Sequence, residues 1–89
     1  MTVQPQQDIR KIVVDVVGGF AMRARVEVAT LGDDTDLFAA GVIDSFGFFE
    51  LLEQLEGQLG CKLEFESFDD RDIGTIGGLL RQIAKRSAV

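Results

Sequence analysis

The apolar positions of this chain fall into three stretches with a helical period, separated by intervals without one. Ile9, Ile12, Val13, Val16, Val17 and Phe20 recur at spacings of 3, 1, 3, 1 and 3, the stripe of an amphipathic helix. This predicts a first helix over residues 6–22. Gly18 and Gly19 lie inside it and cost roughly 1 kcal/mol each relative to Ala, which predicts fraying or an early end. Residues 23–44 show no sustained period and carry the turn residues Gly32, Asp33, Asp34 and Gly41. They are expected to form a long ordered connection, held down by Leu31, Leu37, Phe38, Val42 and Ile43.

A second helix is predicted to begin near Ser45. Phe48, Leu51, Leu52, Leu55 and Leu59 make its core face, and it should stop around Gly57 to Gly60, glycine being the commonest helix terminator. Residues 61–66 alternate as a strand would, but no second strand is available to pair with them. They are expected to be extended loop, followed by a short turn of helix at Ser67 to Asp72. A last helix is predicted over residues 75–86, with Ile76, Leu79, Leu80 and Ile83 inward and Lys85 and Arg86 at its C-terminal end, where the macrodipole favours cations. The expected fold is therefore all-α: one domain spanning residues 1–89, a small bundle of three main helices plus one short helix, with a long loop between the first two.

Composition narrows the function. Fifteen acids against nine bases give a formal charge of −6, which argues against nucleic acid as partner and in favour of basic docking surfaces. The absence of His excludes imidazole catalysis and His-ligated metals. Cys61 is the sole cysteine, so it forms no internal disulfide, and a free thiol suits a reducing cytoplasm. The apolar run Ile12 to Met22 is broken by Asp15 and is too short for a bilayer. The cluster Asp33-Asp34-Thr35-Asp36 is not an EF-hand, because from Asp34 the sixth and twelfth positions hold Ala39 and Ser45 in place of glycine and glutamate.

Charge is unevenly placed. Between Arg25 and Lys62 there is no Lys or Arg, while Glu27, Asp33, Asp34, Asp36, Asp44, Glu50, Glu53 and Glu56 all fall there. On the second helix, Phe46, Phe49, Glu50, Glu53 and Glu56 lie opposite the core face, so apolar rings and carboxylates share one side. A solvated helix face is the plain explanation, and an interaction surface the sharper one. At the head of that helix stands Asp44-Ser45. In the plain explanation it is a cap. Alternatively, the helix N-terminus favours an anion there, so a phosphate ester on Ser45 would be stabilised. With no base nearby in sequence, such chemistry must come from another enzyme.

The run Asp36-Leu37-Phe38-Ala39-Ala40-Gly41-Val42-Ile43-Asp44-Ser45-Phe46 resembles the acyl carrier protein signature. The likeness continues through Glu50-Leu51-Leu52, Leu55-Glu56 and Thr75-Ile76-Gly77, covering essentially the whole chain. It implies a four-helix bundle with no catalytic residues. A 4′-phosphopantetheine arm would be attached to Ser45 by a phosphopantetheinyl transferase, from coenzyme A and with magnesium. Asp44 would assist recognition by that transferase. Phe46 stands where leucine or methionine is usual, which alters the shape of the contact. Phe46, Phe49, Glu50, Glu53 and Glu56 would face basic patches on an acyl- or aminoacyl-activating ligase and on downstream transferases or synthases. Fatty-acid, polyketide and nonribosomal-peptide carriers all fit this outline. Asp44-Ser45-Phe46-Gly47 with Phe68-Asp69 is more similar to D-alanyl and other stand-alone aminoacyl carriers than to fatty-acid carriers. With the charge, the short apolar run and the free thiol, the expected protein is a cytoplasmic monomer that neither binds nucleic acid nor inserts into membrane. The competing expectation is a non-covalent acidic interaction module in which Ser45 belongs only to a cap.

Overall fold

The computed structural model describes residues 5–70 and 72–87. Three α-helices make the frame: α1 Pro5–Arg23, α2 Ser45–Leu59 and α3 Ile76–Ser87. Two single-turn 3-10 helices, Val28–Thr30 and Phe65–Ser67, lie in the connections, and the described residues contain no strand. No helix among them is long and apolar enough to cross a membrane.

The predicted stripes supply the core. Val13, Val16, Val17 and Phe20 of α1 are buried together with Phe48, Leu51, Leu52 and Leu55 of α2 and Ile76, Leu79 and Ile83 of α3. Leu59 and Leu80 are only half-buried at its margin. α1 packs against both other helices, so one apolar stripe serves two partners.

The glycine pair does not end α1. The helix continues to Arg23 and closes in a Schellman turn, in which Val26 N–H bonds Ala21 C=O at 2.8 Å and Arg25 N–H bonds Met22 C=O at 3.1 Å. Arg25 holds the left-handed position, φ 62°, that glycine occupies in most such turns. α2 ends as its sequence predicts. Gly60 caps it at φ 72°, its N–H bonded to Glu56 C=O.

The connection from residue 24 to 44 is held as expected on its apolar residues. Leu37, Val42 and Ile43 are buried, and Leu31 and Phe38 pack partly against the core. Backbone bonds secure it as well. Leu37 N–H reaches Gly74 C=O at 2.8 Å, and Gly77 N–H reaches Asp33 C=O at 2.9 Å. These two bonds join the connection to the start of α3, and thereby fix the approach to α2.

The short turn of helix expected at Ser67 to Asp72 does not form there among the described residues, residue 71 lying outside them. A 3-10 turn forms earlier, at Phe65–Ser67, and a separate turn brings Asp72 N–H to Asp69 C=O. Aromatic packing explains the shift. Phe65 and Phe68 both set their rings edge-on to the buried Phe48, at 6.0 and 5.8 Å, which requires the chain to turn between them. Beyond this turn, Arg81 of α3 donates from Nε and Nη2 to Asp72 Oδ1 at 3.0 and 2.6 Å. Asp72 is buried and its charge is met there, as burial of a carboxylate requires.

Candidate functional site

The site is the N-terminal half of α2 and its two flanks. Asp44 is the N-cap, in extended conformation, and its Oδ1 accepts the Gly47 N–H at 2.8 Å. Its carbonyl accepts the Phe48 N–H at 2.8 Å. The cap thus satisfies an orphan donor of the helix end and starts the helical ladder. Ser45 is the first helical residue and is exposed. Among the described residues its hydroxyl has no hydrogen-bond partner.

The residues predicted on the outer face of α2 separate into two kinds. Phe46 is 86% exposed and Phe49 51%, and Glu50 and Glu53 are exposed beside them. Glu56 differs. It is half-buried, and its Oε2 accepts the backbone N–H of Leu63 at 2.7 Å. The structure brings Asp44, Ser45, Phe46, Phe49, Glu50 and Glu53 onto one open surface and turns Glu56 toward the loop after the helix.

Open grooves run along both sides of Phe46. One lies between α2 and the loop beyond it, where Phe46, Phe49, Leu63 and Phe65 meet Glu53 and Glu66. The rings of Phe49 and Phe65 stand 5.4 Å apart, and Phe65 is 39% exposed. The other lies toward the end of α1, lined by Phe20, Arg23, Val42, Ile43, Phe46 and Glu50. The Arg23 guanidinium sits 4.7 Å from the centre of the Phe20 ring, and its Nη2 is 4.0 Å from Glu50 Oε2.

Three residues of this surface escaped sequence reasoning. Phe65 and Glu66 sat in a stretch that alternates without a partner, and Arg23 lay just past the predicted end of α1. The signal available for Phe65 was that alternation, which already put Leu63 and Phe65 on one side. Cys61 is half-buried next to the core.

A family model described as a phosphopantetheine attachment site matches residues 7–83. The chain belongs to that family of carrier proteins. Its members are carriers of a covalent 4′-phosphopantetheine group and are not themselves catalysts. They work with a phosphopantetheinyl transferase and with acyl-activating enzymes. Among curated proteins, the chain is similar to a D-alanyl carrier protein of Enterococcus faecalis, 28% identical over 78 residues, which is 88% of this chain and 91% of that protein. No solved structure matches it significantly. The acidic, ring-bearing face of α2 therefore belongs to a carrier, a protein whose work is to be approached and left by other enzymes.

Proposed function

We propose that Ser45 bears the phosphopantetheine arm and that this chain presents acyl groups, aminoacyl groups in particular, to enzymes that dock on α2. When bound, the arm supplies a terminal thiol on which an acyl group is held as a thioester. The observation that carries the proposal is the state of the Ser45 hydroxyl, exposed and without a hydrogen-bond partner among the described residues, at the first residue of α2.

The surrounding residues fit such a group. Asp44 takes up the Gly47 N–H, but the N–H groups of Ser45 and Phe46 keep no acceptor among the described residues, and the positive end of the helix dipole points at Ser45. A phosphodiester there meets two donors and a favourable field. The chain has no His to deprotonate the hydroxyl, so the base is supplied by the transferase, for which Asp44 is the recognition residue.

Docking uses the same face. Glu50 and Glu53 draw a basic partner by long-range attraction, which raises the encounter rate without tight binding. Phe46 and Phe49 then fix the register. A carrier must leave each enzyme it visits, and weak steered contacts allow that. In this reading the 3-10 turn Phe65–Ser67 and the turn after it take the part of the bundle's short helix. In this reading the chain is one cytoplasmic, monomeric carrier domain.

The aminoacyl preference is supported by the likeness to a D-alanyl carrier protein and by Gly47 in the first turn of α2. It is tested by incubating the arm-bearing protein with ATP, magnesium, D-alanine and an adenylate-forming D-alanine ligase. A mass increase of one alanyl group, removed by hydroxylamine, supports it. Loading by a fatty-acyl ligase, with none by the D-alanine ligase, moves the chain to the fatty-acyl carriers.

A further inference from the structure

Ser45, Phe49, Leu52 and Glu56 stand at i, i+4, i+7 and i+11 along α2, so they share one line of its surface. The last three line the groove between α2 and the loop beyond it. An enzyme that reaches Ser45 along that line covers this groove as well.

The groove is aromatic within and acidic at its rim. Phe46, Phe49 and Phe65 bring three exposed rings to it, and rings gathered at a surface mark a contact site. Glu50, Glu53, Glu56 and Glu66 border them, with no Lys or Arg among the described residues that line it. Two of these acids are engaged, Glu56 by the Leu63 N–H at 2.7 Å and Glu50 by Arg23 at 4.0 Å. Glu53 and Glu66 are exposed and pair with nothing among the described residues, so their charge is left for a partner.

Phe65 supplies a wall that stands before any partner arrives. Its ring lies edge-on to Phe48 at 6.0 Å and 5.4 Å from that of Phe49. The loop beneath it is held on both sides. Glu56 takes the Leu63 N–H, and Gln82 Nε2 of α3 donates to the Ser67 carbonyl at 3.2 Å. A partner therefore meets a formed surface and need not order it.

The enzyme that must reach Ser45 carries the matching charge. Coenzyme A bears a diphosphate and a further phosphate, so the surface that binds it is rich in Lys and Arg. Resting on the assignment of Ser45 as the attachment residue, we propose that the phosphopantetheinyl transferase docks in this groove. One of its apolar side chains enters between Phe49 and Phe65, and Lys or Arg beside it meets Glu53 and Glu66. Phe65 and Glu66, which lie off α2 on the 3-10 turn, are then specificity-determining residues for attachment of the arm.

The test is the rate of arm attachment by a phosphopantetheinyl transferase with coenzyme A and magnesium, followed by intact mass. Phe65→Ala should lower kcat/KM about tenfold, through KM and at every salt concentration, as an apolar contact does. Glu66→Lys should lower it about fivefold at low salt, and the gap should close as salt is added. Glu27→Lys makes the same charge change at an exposed residue that lines neither groove, and should stay within about twofold of wild type. Glu66 is exposed, so its variant keeps the test decisive should Phe65→Ala loosen the loop. Wild-type rates in both groove variants, or an equal fall in Glu27→Lys, would overturn the proposal and leave Ser45 in place. So would wild-type rates with a dimer that Phe65→Ala dissolves, which would make a second copy the occupant. A wild type that gains no arm overturns the Ser45 assignment and this proposal together.

Discussion

The Glu56 carboxylate accepts the backbone N–H of Leu63 at 2.7 Å, and so an acid of α2 acts as a clamp on the chain beyond it. The clamp holds Leu63 in the core, at 4% exposure, and sets Phe65 against Phe49 across the aromatic groove. The acids of α2 therefore divide between Glu56, which holds the loop, and Glu50 and Glu53, which are exposed.

Glu56→Ala should destabilise the fold by about 1–3 kcal/mol, since a part-buried N–H loses a charged acceptor. Denaturant unfolding measures this directly. Stability equal to wild type would mean that Glu56 is a surface acid like its neighbours.

Glu53→Lys should behave in the opposite way. Glu53 is exposed and makes no ion pair among the described residues, so stability should change by less than about 0.5 kcal/mol. Loading by the cognate ligase should slow by about tenfold at low salt, and the gap to wild type should close as salt is added. Unchanged loading kinetics would remove α2 from the docking contact.

Acid should expose the tie between α1 and the long connection. Arg10 donates two hydrogen bonds to Asp33, at 3.0 and 2.8 Å, and these hold the Asp33 carboxyl below the usual carboxylate range. A lowered folded-state pKa contributes stability that is present above the unfolded value of about 3.9 and is lost as pH falls through the folded value. Arg10→Gln should therefore melt below wild type at pH 7, and the two melting temperatures should converge as pH drops below about 4. A gap that stays constant down to pH 2 would assign the effect of Arg10 to something other than this pair.

Two glycines should respond in opposite directions. A methyl group at Gly78 of α3 would collide with the backbone carbonyl of Asp72, so Gly78→Ala should cost about 1–3 kcal/mol or more. A methyl at Gly57 of α2 meets nothing within 4 Å, and Gly57→Ala should stabilise by about 0.5–1 kcal/mol. Thermal melts of the two variants decide it. Equal effects would mean that α3 does not sit so closely on the Asp72 turn.

Local signals made much of this fold legible in the sequence. The start of α2 could be placed at Ser45 because Asp44 is a good cap, and its end because Gly60 is a good terminator. The end of α1 was harder, because the two glycines that mark a stop in sequence lie inside the helix and a non-glycine, Arg25, takes the left-handed turn. The 3-10 turn at Phe65–Ser67 depends on the distant Phe48 ring, which no local pattern reveals. At the site, Ser45 could be placed by the cap that precedes it, and the exposed Phe46 and Phe49 by helical periodicity. The inward role of Glu56, and the addition of Arg23 and Phe65 to the surface, required the fold, since each is defined by a contact with another element.

The central claim, that Ser45 carries the arm, is tested most directly by the intact mass of the folded protein after incubation with coenzyme A, magnesium and a broad-specificity phosphopantetheinyl transferase, alongside Ser45→Ala. The expected result is a gain of one phosphopantetheinyl group in the wild type and none in the variant. A folded wild type that gains nothing across several transferases, or a Ser45→Ala protein that still gains the group, would contradict it.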